Sequence, residues 1–88
     1  MTYQAALNAS ESWREKRPDH KGGVVLVWQG RAYGWKDRLR DAGHERPGAH
    51  AVDADGHVFV AEGGNDCDGA RCWVVVSPRA ITEQGEQS

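Results

Sequence analysis

The clearest pattern of apolar and polar positions lies between residues 23 and 35, in the stretch GVVLVWQGRAYGW. An unbroken apolar run is followed by a Gln-Gly pair and then by a second, alternating segment. β-branched and aromatic residues on both sides of a glycine-containing pair predict a β-hairpin with a tight turn at Gln29-Gly30. A two-residue turn pairs Trp28 with Arg31, Leu26 with Tyr33 and Val24 with Trp35. One face of this hairpin would carry the aromatic side chains, and the other face only small ones.

Four further elements follow from the same kind of patterning. Apolar residues at helical spacing predict a helix over residues 2–17, which Pro18 ends because it disfavours helical geometry in the preceding residue. Asp55-Gly56 predicts a second hairpin in which Val52 faces Phe59. The segment 72–77 is apolar on both faces, which predicts a strand that is not an exposed edge.

These elements predict an α+β fold, with an N-terminal helix packed on a twisted, mainly antiparallel sheet of about five strands. Short connections favour antiparallel neighbours, and a chain of 88 residues is long enough for one small core. We therefore expect a single α+β domain over residues 1–79. The remaining residues, 80–88, are polar and are expected to form a flexible C-terminal tail.

Composition and charge bear on the cellular compartment of the protein but do not indicate its activity. The formal net charge is −2, and no apolar run approaches the roughly 20 residues that span a bilayer. The N-terminus has no signal-peptide pattern, so we expect a cytoplasmic protein that does not bind membranes. In that compartment Cys67 and Cys72 should be reduced thiols.

Candidate chemistry is sparse in this sequence. The Cys67–Cys72 spacing provides one poor ligand pair, whereas a zinc site needs four convergent ligands. Two Asp-x-Asp-Gly segments, 53–56 and 66–69, resemble the start of a calcium loop but lack its remaining ligands, so tight turns are the better interpretation. No nucleophile signature is present. The sequence thus predicts a binding protein and not an enzyme, without a catalytic residue, metal site or cofactor.

One stretch, residues 31–40, combines aromatic and basic side chains in a way that is typical of nucleic-acid binding. Bases stack on exposed aromatic rings, while Arg and Lys neutralise phosphates. The candidates are Arg31, Tyr33, Trp35, Lys36, Arg38 and Arg40. Asp37 and Asp41 dilute this patch, so a small nucleic-acid-binding or regulatory protein is the alternative and not the leading hypothesis.

Three blocks of the sequence, GVVLVWQGRAYGWKDRLRD, HERPGAHAVDADGHVFVAEGG and DGARCWVVV, resemble small plasmid- and mobile-element-borne antirestriction proteins of the ArdR type. The resemblance covers the chain from about residue 13 to residue 76. It implies a host-defence inhibitor that helps incoming DNA to escape restriction. Imitation of DNA would need a dense excess of carboxylates, and 13 acidic against 11 basic residues do not supply it. Direct protein–protein contact with a bacterial restriction or related defence complex fits the composition better.

If the resemblance holds, the partner-binding surface should combine an aromatic or arginine anchor with a polar rim. The sequence favours Trp35 and Arg38 as anchors, with Arg40 beside them and Asp66 and Asp68 as the rim. Aromatic surface that the single helix leaves uncovered would also allow a homodimer.

Overall fold

The computed structural model describes residues 3–76, so the predicted tail at 80–88 lies outside the described residues. One helix and five strands follow in order: α1 (Tyr3–Glu15), β1 (Val24–Trp28), β2 (Arg31–Lys36), β3 (His50–Asp53), β4 (Val58–Glu62) and β5 (Cys72–Val76). A single 3-10 turn, Ala42–His44, lies between β2 and β3. The strands form one antiparallel sheet in the order β2-β1-β3-β4-β5, with α1 packed against one face. The predicted α+β fold is thereby confirmed.

Strand β1 lies at the centre of the packing because both of its faces are covered. Val24, Val25, Leu26 and Val27 are each no more than 4% exposed. Towards α1, Val25 and Val27 pack with Ala6 of the helix. On the opposite face, Leu26 packs with Ala51 and with partly buried Leu39. Burial of each such aliphatic side chain contributes roughly 1.5–3 kcal/mol, and β1 has more buried apolar residues than any other strand of the described sheet.

The chain that follows α1 is fastened to the helix by Arg14. Its guanidinium donates hydrogen bonds to the backbone carbonyls of His20, Gly22 and Gly23 at 2.9–3.0 Å. These contacts satisfy carbonyl groups of a segment without regular structure. They also set the direction from which the chain enters β1.

The first hairpin has the predicted turn but a different register. Gln29 and Gly30 both have positive φ, 50° and 82°, as a type I′ turn requires, and Trp28 pairs with Arg31 as predicted. A β-bulge then shifts the pairing, so that Leu26 lies opposite Gly34 and Val25 opposite Trp35. The predicted pairs Leu26–Tyr33 and Val24–Trp35 were wrong because a bulge inserts one unpaired residue.

That one-residue shift divides the aromatic face that the sequence predicted. Trp35 packs against the helix-side core with Val25, whereas Tyr33 lies on the other face and is half-exposed. Trp28 lies on the face away from α1, where it is partly buried against an alanine cluster. The bulge therefore decides which aromatic side chains remain accessible.

The second hairpin also differs from its predicted register. Ala51 pairs with Phe59 and Val52 with Val58, so the expected pair of Val52 with Phe59 was wrong. The loop holds three residues instead of two, because the Gly56 amide donates to the Asp53 carbonyl and Gly56 itself has φ 87°. A type I turn followed by a left-handed glycine is the usual three-residue hairpin connection.

Strand β5 occupies an edge of the sheet, which contradicts the prediction that it would be covered. Within residues 3–76, β4 is its one neighbouring strand. Val74 is 38% exposed and Val75 is 61% exposed. The sequence could not show this, because an apolar strand reads the same in the centre of a sheet and at its edge.

Gly23, where the chain enters β1, provides a stability test. Its φ is 69°, and a Cβ there would lie 2.3 Å from the Lys36 carbonyl oxygen and 2.7 Å from the Trp35 ring. We expect Gly23→Ala to lower the free energy of unfolding by about 2–4 kcal/mol, measured by urea denaturation. The matched control is Gly22→Ala, where a Cβ meets nothing within 4 Å and stability should change by less than about 0.5 kcal/mol. Equal midpoints for the two variants would contradict this account.

Candidate functional site

A groove lies beside the β1–β2 turn, between the hairpin and two segments, residues 43–46 and 66–69. Its volume is about 1020 Å³, and it is open to solvent. The lining residues are Trp28, Gln29, Arg31, Ala32, Tyr33, Gly43, His44, Glu45, Arg46, Asp66, Cys67 and Gly69. Concave sites with aromatic walls and a few placed polar groups are where ligands and partners usually bind.

Trp28 lines the groove and is in contact with Arg46 and Gly48. The guanidinium carbon of Arg46 lies 4.7 Å from the centre of its ring, in a cation–π contact. Gly48 packs closely against the same ring, since a Cβ at this position would lie 3.2 Å from it. Gly48 has φ 96°, and its amide donates to the Ala61 carbonyl at 2.8 Å. The indole is therefore fixed in position before any partner binds.

A buried carboxylate, Glu45, connects the hairpin to the groove's far side. Its side chain is 8% exposed. Tyr33 Oη donates to Oε1 at 2.5 Å, and Lys36 Nζ donates to Oε2 at 2.9 Å. The Glu45 carbonyl accepts from the Ala70 amide at 2.8 Å. Each carboxylate oxygen thus has a partner, which a buried charge needs if it is to be tolerated.

The same network raises the pKa of Tyr33. Burial raises the pKa of the hydroxyl well above its ordinary value, and the hydrogen bond to Glu45 and the negative charge of that carboxylate raise it further. A tyrosine is already neutral at physiological pH, so the shift widens the pH range over which Tyr33 donates to Glu45. The residue is 49% exposed and lines the groove.

The opposite rim of the groove is shaped by a compact turn over residues 65–69. Asn65 Oδ1 accepts hydrogen bonds from the amides of Cys67 and Asp68 at 2.9 and 2.7 Å. Gly69 has φ 88° and approaches Gly43 so closely that a Cβ would lie 2.0 Å from the Gly43 carbonyl oxygen. This turn places Asp66 and Cys67 on the rim. The Asp-x-Asp-Gly segment at 66–69 is thus a turn, as predicted.

The residues predicted as the partner site lie in different parts of the structure. Asp66 lines the groove, and Asp68 next to it accepts a hydrogen bond from Asn65 Nδ2 at 3.3 Å. Trp35 instead packs on the helix side, where its ring centre lies 4.6 Å from that of His20 and its Nε1 donates to the Gly22 carbonyl.

The two predicted arginines lie after β2. Arg40 forms an ion pair with Asp37, with 2.5 Å between Nη2 and Oδ1, and its carbonyl accepts from Trp73 Nε1 at 2.7 Å. That ion pair lowers the pKa of the Asp37 carboxyl. Arg38 is exposed to solvent. Neither arginine lines the groove.

Sequence reasoning missed most of the groove. Glu45 and Arg46 were not among the candidate residues, and Trp28 was predicted only as part of the first hairpin. The sequence does show a glutamate beside an arginine, after the strand that contains a tyrosine. Which groups contact the carboxylate of that glutamate depends on tertiary packing, which the sequence does not show. Only the structure shows that Tyr33 and Lys36 meet Glu45.

Most of the residues proposed for nucleic-acid binding have internal partners. Tyr33 and Lys36 both bind Glu45, Arg40 binds Asp37, and Trp35 packs against His20. Trp35, Lys36 and Arg40 are therefore poorly placed to stack on bases or to neutralise phosphates. Tyr33, by contrast, is half-exposed and lines the groove together with Arg31. The alternative function thus has fewer available groups than the sequence suggested.

A possible cation cluster is explained by turn formation. Within residues 3–76, ligand atoms of Asp53, Asp55 and His57 lie within 4.8 Å of one another. Asp53 Oδ1 accepts from the amides of Asp55 and His57, and Oδ2 lies 3.0 Å from His57 Nδ1. These contacts show that the side chain of Asp53 closes the turn, and turn formation thus explains the position of this aspartate. Both cysteines are exposed free thiols.

Comparison of the chain with family models, with curated proteins and with solved structures gives no match in any of the three. The resemblance to antirestriction proteins of the ArdR type therefore stays a prediction from the sequence. Within the part of the chain that the structure describes, no helix is both long and apolar enough to cross a membrane.

The hydrogen bond between Tyr33 and Glu45 can be tested with the chain's two tyrosines. Tyr33→Phe leaves one oxygen of a buried carboxylate without its donor, which should reduce the free energy of unfolding by about 1–2 kcal/mol. Tyr3→Phe is the control, because Tyr3 contributes to the helix-side core through its ring. Urea denaturation of both variants measures the difference. A loss of stability in Tyr3→Phe alone would contradict the described network.

His50 predicts how stability depends on pH. Burial lowers the pKa of its imidazole, and the contact of Nδ1 with the Gly48 carbonyl offsets part of that effect. In the unfolded chain a histidine has a pKa of about 6.5. The unfolded chain therefore binds more protons than the folded one in the pH range just below that value. Stability should therefore fall as the pH drops below about 6.5. In His50→Asn, which retains a hydrogen-bond donor, thermal melts between pH 7.5 and 5.5 should show a smaller decline; an unchanged decline would exclude His50 as its source.

Proposed function

We propose that this protein inhibits a bacterial DNA-defence complex by protein–protein contact, in the manner of the antirestriction proteins it resembles, and that the groove is the contact surface. The observation that carries the proposal is the arrangement of Trp28, Tyr33 and Arg46 in one preformed concave site. The proposed activity is binding and not catalysis.

Residue types in the groove support a protein partner. Trp, Tyr and Arg are the residues most enriched among interface positions that contribute strongly to affinity. The Trp28 ring contacts Arg46 and packs against Gly48, and Tyr33 is hydrogen-bonded to Glu45. Side chains that are already ordered lose little conformational entropy on binding, which favours affinity.

The charges around the groove also suit a protein better than a nucleic acid. Arg31 and Arg46 lie on the same groove as Asp66, while the charge of Glu45 is compensated by Lys36. A phosphate backbone attracts uniform positive charge and is repelled by a carboxylate on the rim. A rim that carries both signs complements the mixed charge of a typical protein surface.

The antirestriction class itself comes from the resemblance, and the groove overlaps with the residues that carry it. Of the twelve lining residues, nine fall within the three sequence blocks that resemble ArdR-type proteins. The other three are Gly43, Asp66 and Cys67. The groove thus includes residues of all three blocks.

The test compares two exposed arginines, one in the groove and one outside it. Arg31→Glu should reduce inhibition at least about tenfold, because a reversed charge at a desolvated contact costs more than about 1.4 kcal/mol. The readout is the plating efficiency of unmodified phage on a restricting host that expresses the protein. Arg38→Glu is the matched charge reversal, and both proteins should melt like the parent.

Two results would count against the groove. If Arg38→Glu lost inhibition while Arg31→Glu retained it, the surface around Arg38 that the sequence favoured would be the contact site. If the unchanged protein gave no rise in plating efficiency on hosts with different restriction systems, the antirestriction class would be refuted.

A further inference from the structure

The exposed strand β5 has the features of an edge that pairs with another strand. Its residues, Cys72–Val76, include no charge, glycine or proline, and each of them is in unbroken antiparallel register with β4. Within residues 3–76, no strand lies on its other side. Such an edge presents a row of backbone donors and acceptors that a further strand can satisfy.

The opposite edge of the sheet, strand β2, is protected in the usual ways. A β-bulge interrupts its pairing with β1, and charged residues, Arg31 and Lys36, stand at its two ends. Bulges and edge charges are devices that prevent association between sheets. Within residues 72–76 there is neither a bulge nor a charge, and the charged Arg71 stands just before the strand. β5 is therefore the less protected of the two edges.

Apolar side chains line β5 on both faces of the sheet. Val75 stands opposite Phe59 on the face away from α1, and Val74 opposite Val60 on the helix side. The two valines are 61% and 38% exposed. A strand that pairs here must therefore be apolar on both faces, and β5 itself is such a strand.

We propose that two copies of this chain associate through β5, paired antiparallel about a two-fold axis at Val74. This register places Val74 opposite its counterpart, Val75 opposite Trp73 and Val76 opposite Cys72, and none of these pairs involves a charge. The result is a continuous sheet of two times five strands, which is within the size range of open sheets. Both helices lie on one face of this combined sheet. Both grooves lie towards its outer strands on the opposite face and remain accessible.

The rest of the chain is a less suitable occupant of this edge. Residues 77–88, SPRAITEQGEQS, start where β5 ends and contain two β-branched residues, Ile81 and Thr82, among mostly polar ones. This composition is poor for a strand that has to cover valines on both faces. A second β5 is self-complementary, as a two-fold interface requires. The proposal is independent of the proposed function.

The first experiment measures the mass of the full chain in solution by light scattering over a range of concentrations. We expect a concentration-dependent rise towards twice the 9.7 kDa of one chain. Val75→Lys places a charge on the edge and should keep the protein monomeric at every concentration. Val75→Thr retains a β-branched side chain without charge and should still dimerise. Both variants should melt like the parent as monomers, because the position is exposed.

The second experiment tests the register by disulfide cross-linking in a Cys67→Ser, Cys72→Ala background. Val74→Cys should cross-link readily under mild oxidation, because cross-strand partners bring their Cα atoms to about 4.5–5.5 Å. Val75→Cys is the control, since the two-fold register leaves its Cα atoms about 8 Å apart, beyond the reach of a disulfide.

A single-chain mass at all concentrations would overturn the proposal, whether residues 77–88 or a strand of a different protein covers the edge. A dimer that persists in Val75→Lys, or cross-linking of Val75→Cys in preference to Val74→Cys, would place the interface or its register elsewhere and would overturn it as well.

Discussion

The structure depends on the burial of strand β1 on both faces. An interior strand that is apolar on both faces needs a covering layer on each side of the sheet, and residues 3–76 supply one α-helix. The helix covers one face through small residues such as Ala6. The other face is covered by the segment after β2 and by Ala70, which have almost no regular structure. Alanines at 42, 49, 61 and 70 let this layer approach closely, and Glu45 fastens it to the hairpin through two side-chain contacts.

This arrangement explains why the groove lies where it does. The irregular layer covers the middle of the sheet but stops short of the β1–β2 turn, so that Trp28 and Tyr33 are only partly covered. A buried ion pair stabilises a fold weakly when compared with apolar packing, yet it defines geometry well when every oxygen has a partner. Glu45 has this positional role, because it sets the distance between the hairpin and the wall formed by residues 43–46. The contacts of Glu45 therefore contribute both to the packing of the irregular layer on the hairpin and to the shape of the groove.

Much of the fold could be predicted from the sequence, because periodicity and turn residues are local. The helix, the five strands and the Gln29-Gly30 turn all follow from neighbouring residues. Registers could not be predicted, since a bulge at Leu26–Val27 and a third loop residue before His57 leave no trace in the alternation of side chains. The site could be predicted least. Asp66 was identified from its loop, whereas Glu45, Arg46 and Trp28 acquire their roles from contacts between residues far apart in the chain.

The stretch from Arg31 to Arg40 shows how a composition typical of one function can serve another purpose. Aromatic and basic residues in sequence suggest a surface for nucleic acid, but a small domain has few side chains with which to clamp its layers together. Tyr33 and Lys36 both bind Glu45, and Trp35 closes the helix-side core beside His20. Each of these residues has an apolar body and a polar end, so it can fill space and satisfy a buried group at once. In such a domain, the groups accessible to a partner are those that the packing leaves exposed. Here these are Arg31, Arg46 and the exposed parts of Trp28 and Tyr33. The bulge places Trp35 against the helix-side core and Tyr33 on the opposite face, and it thereby determines which aromatic side chains are accessible.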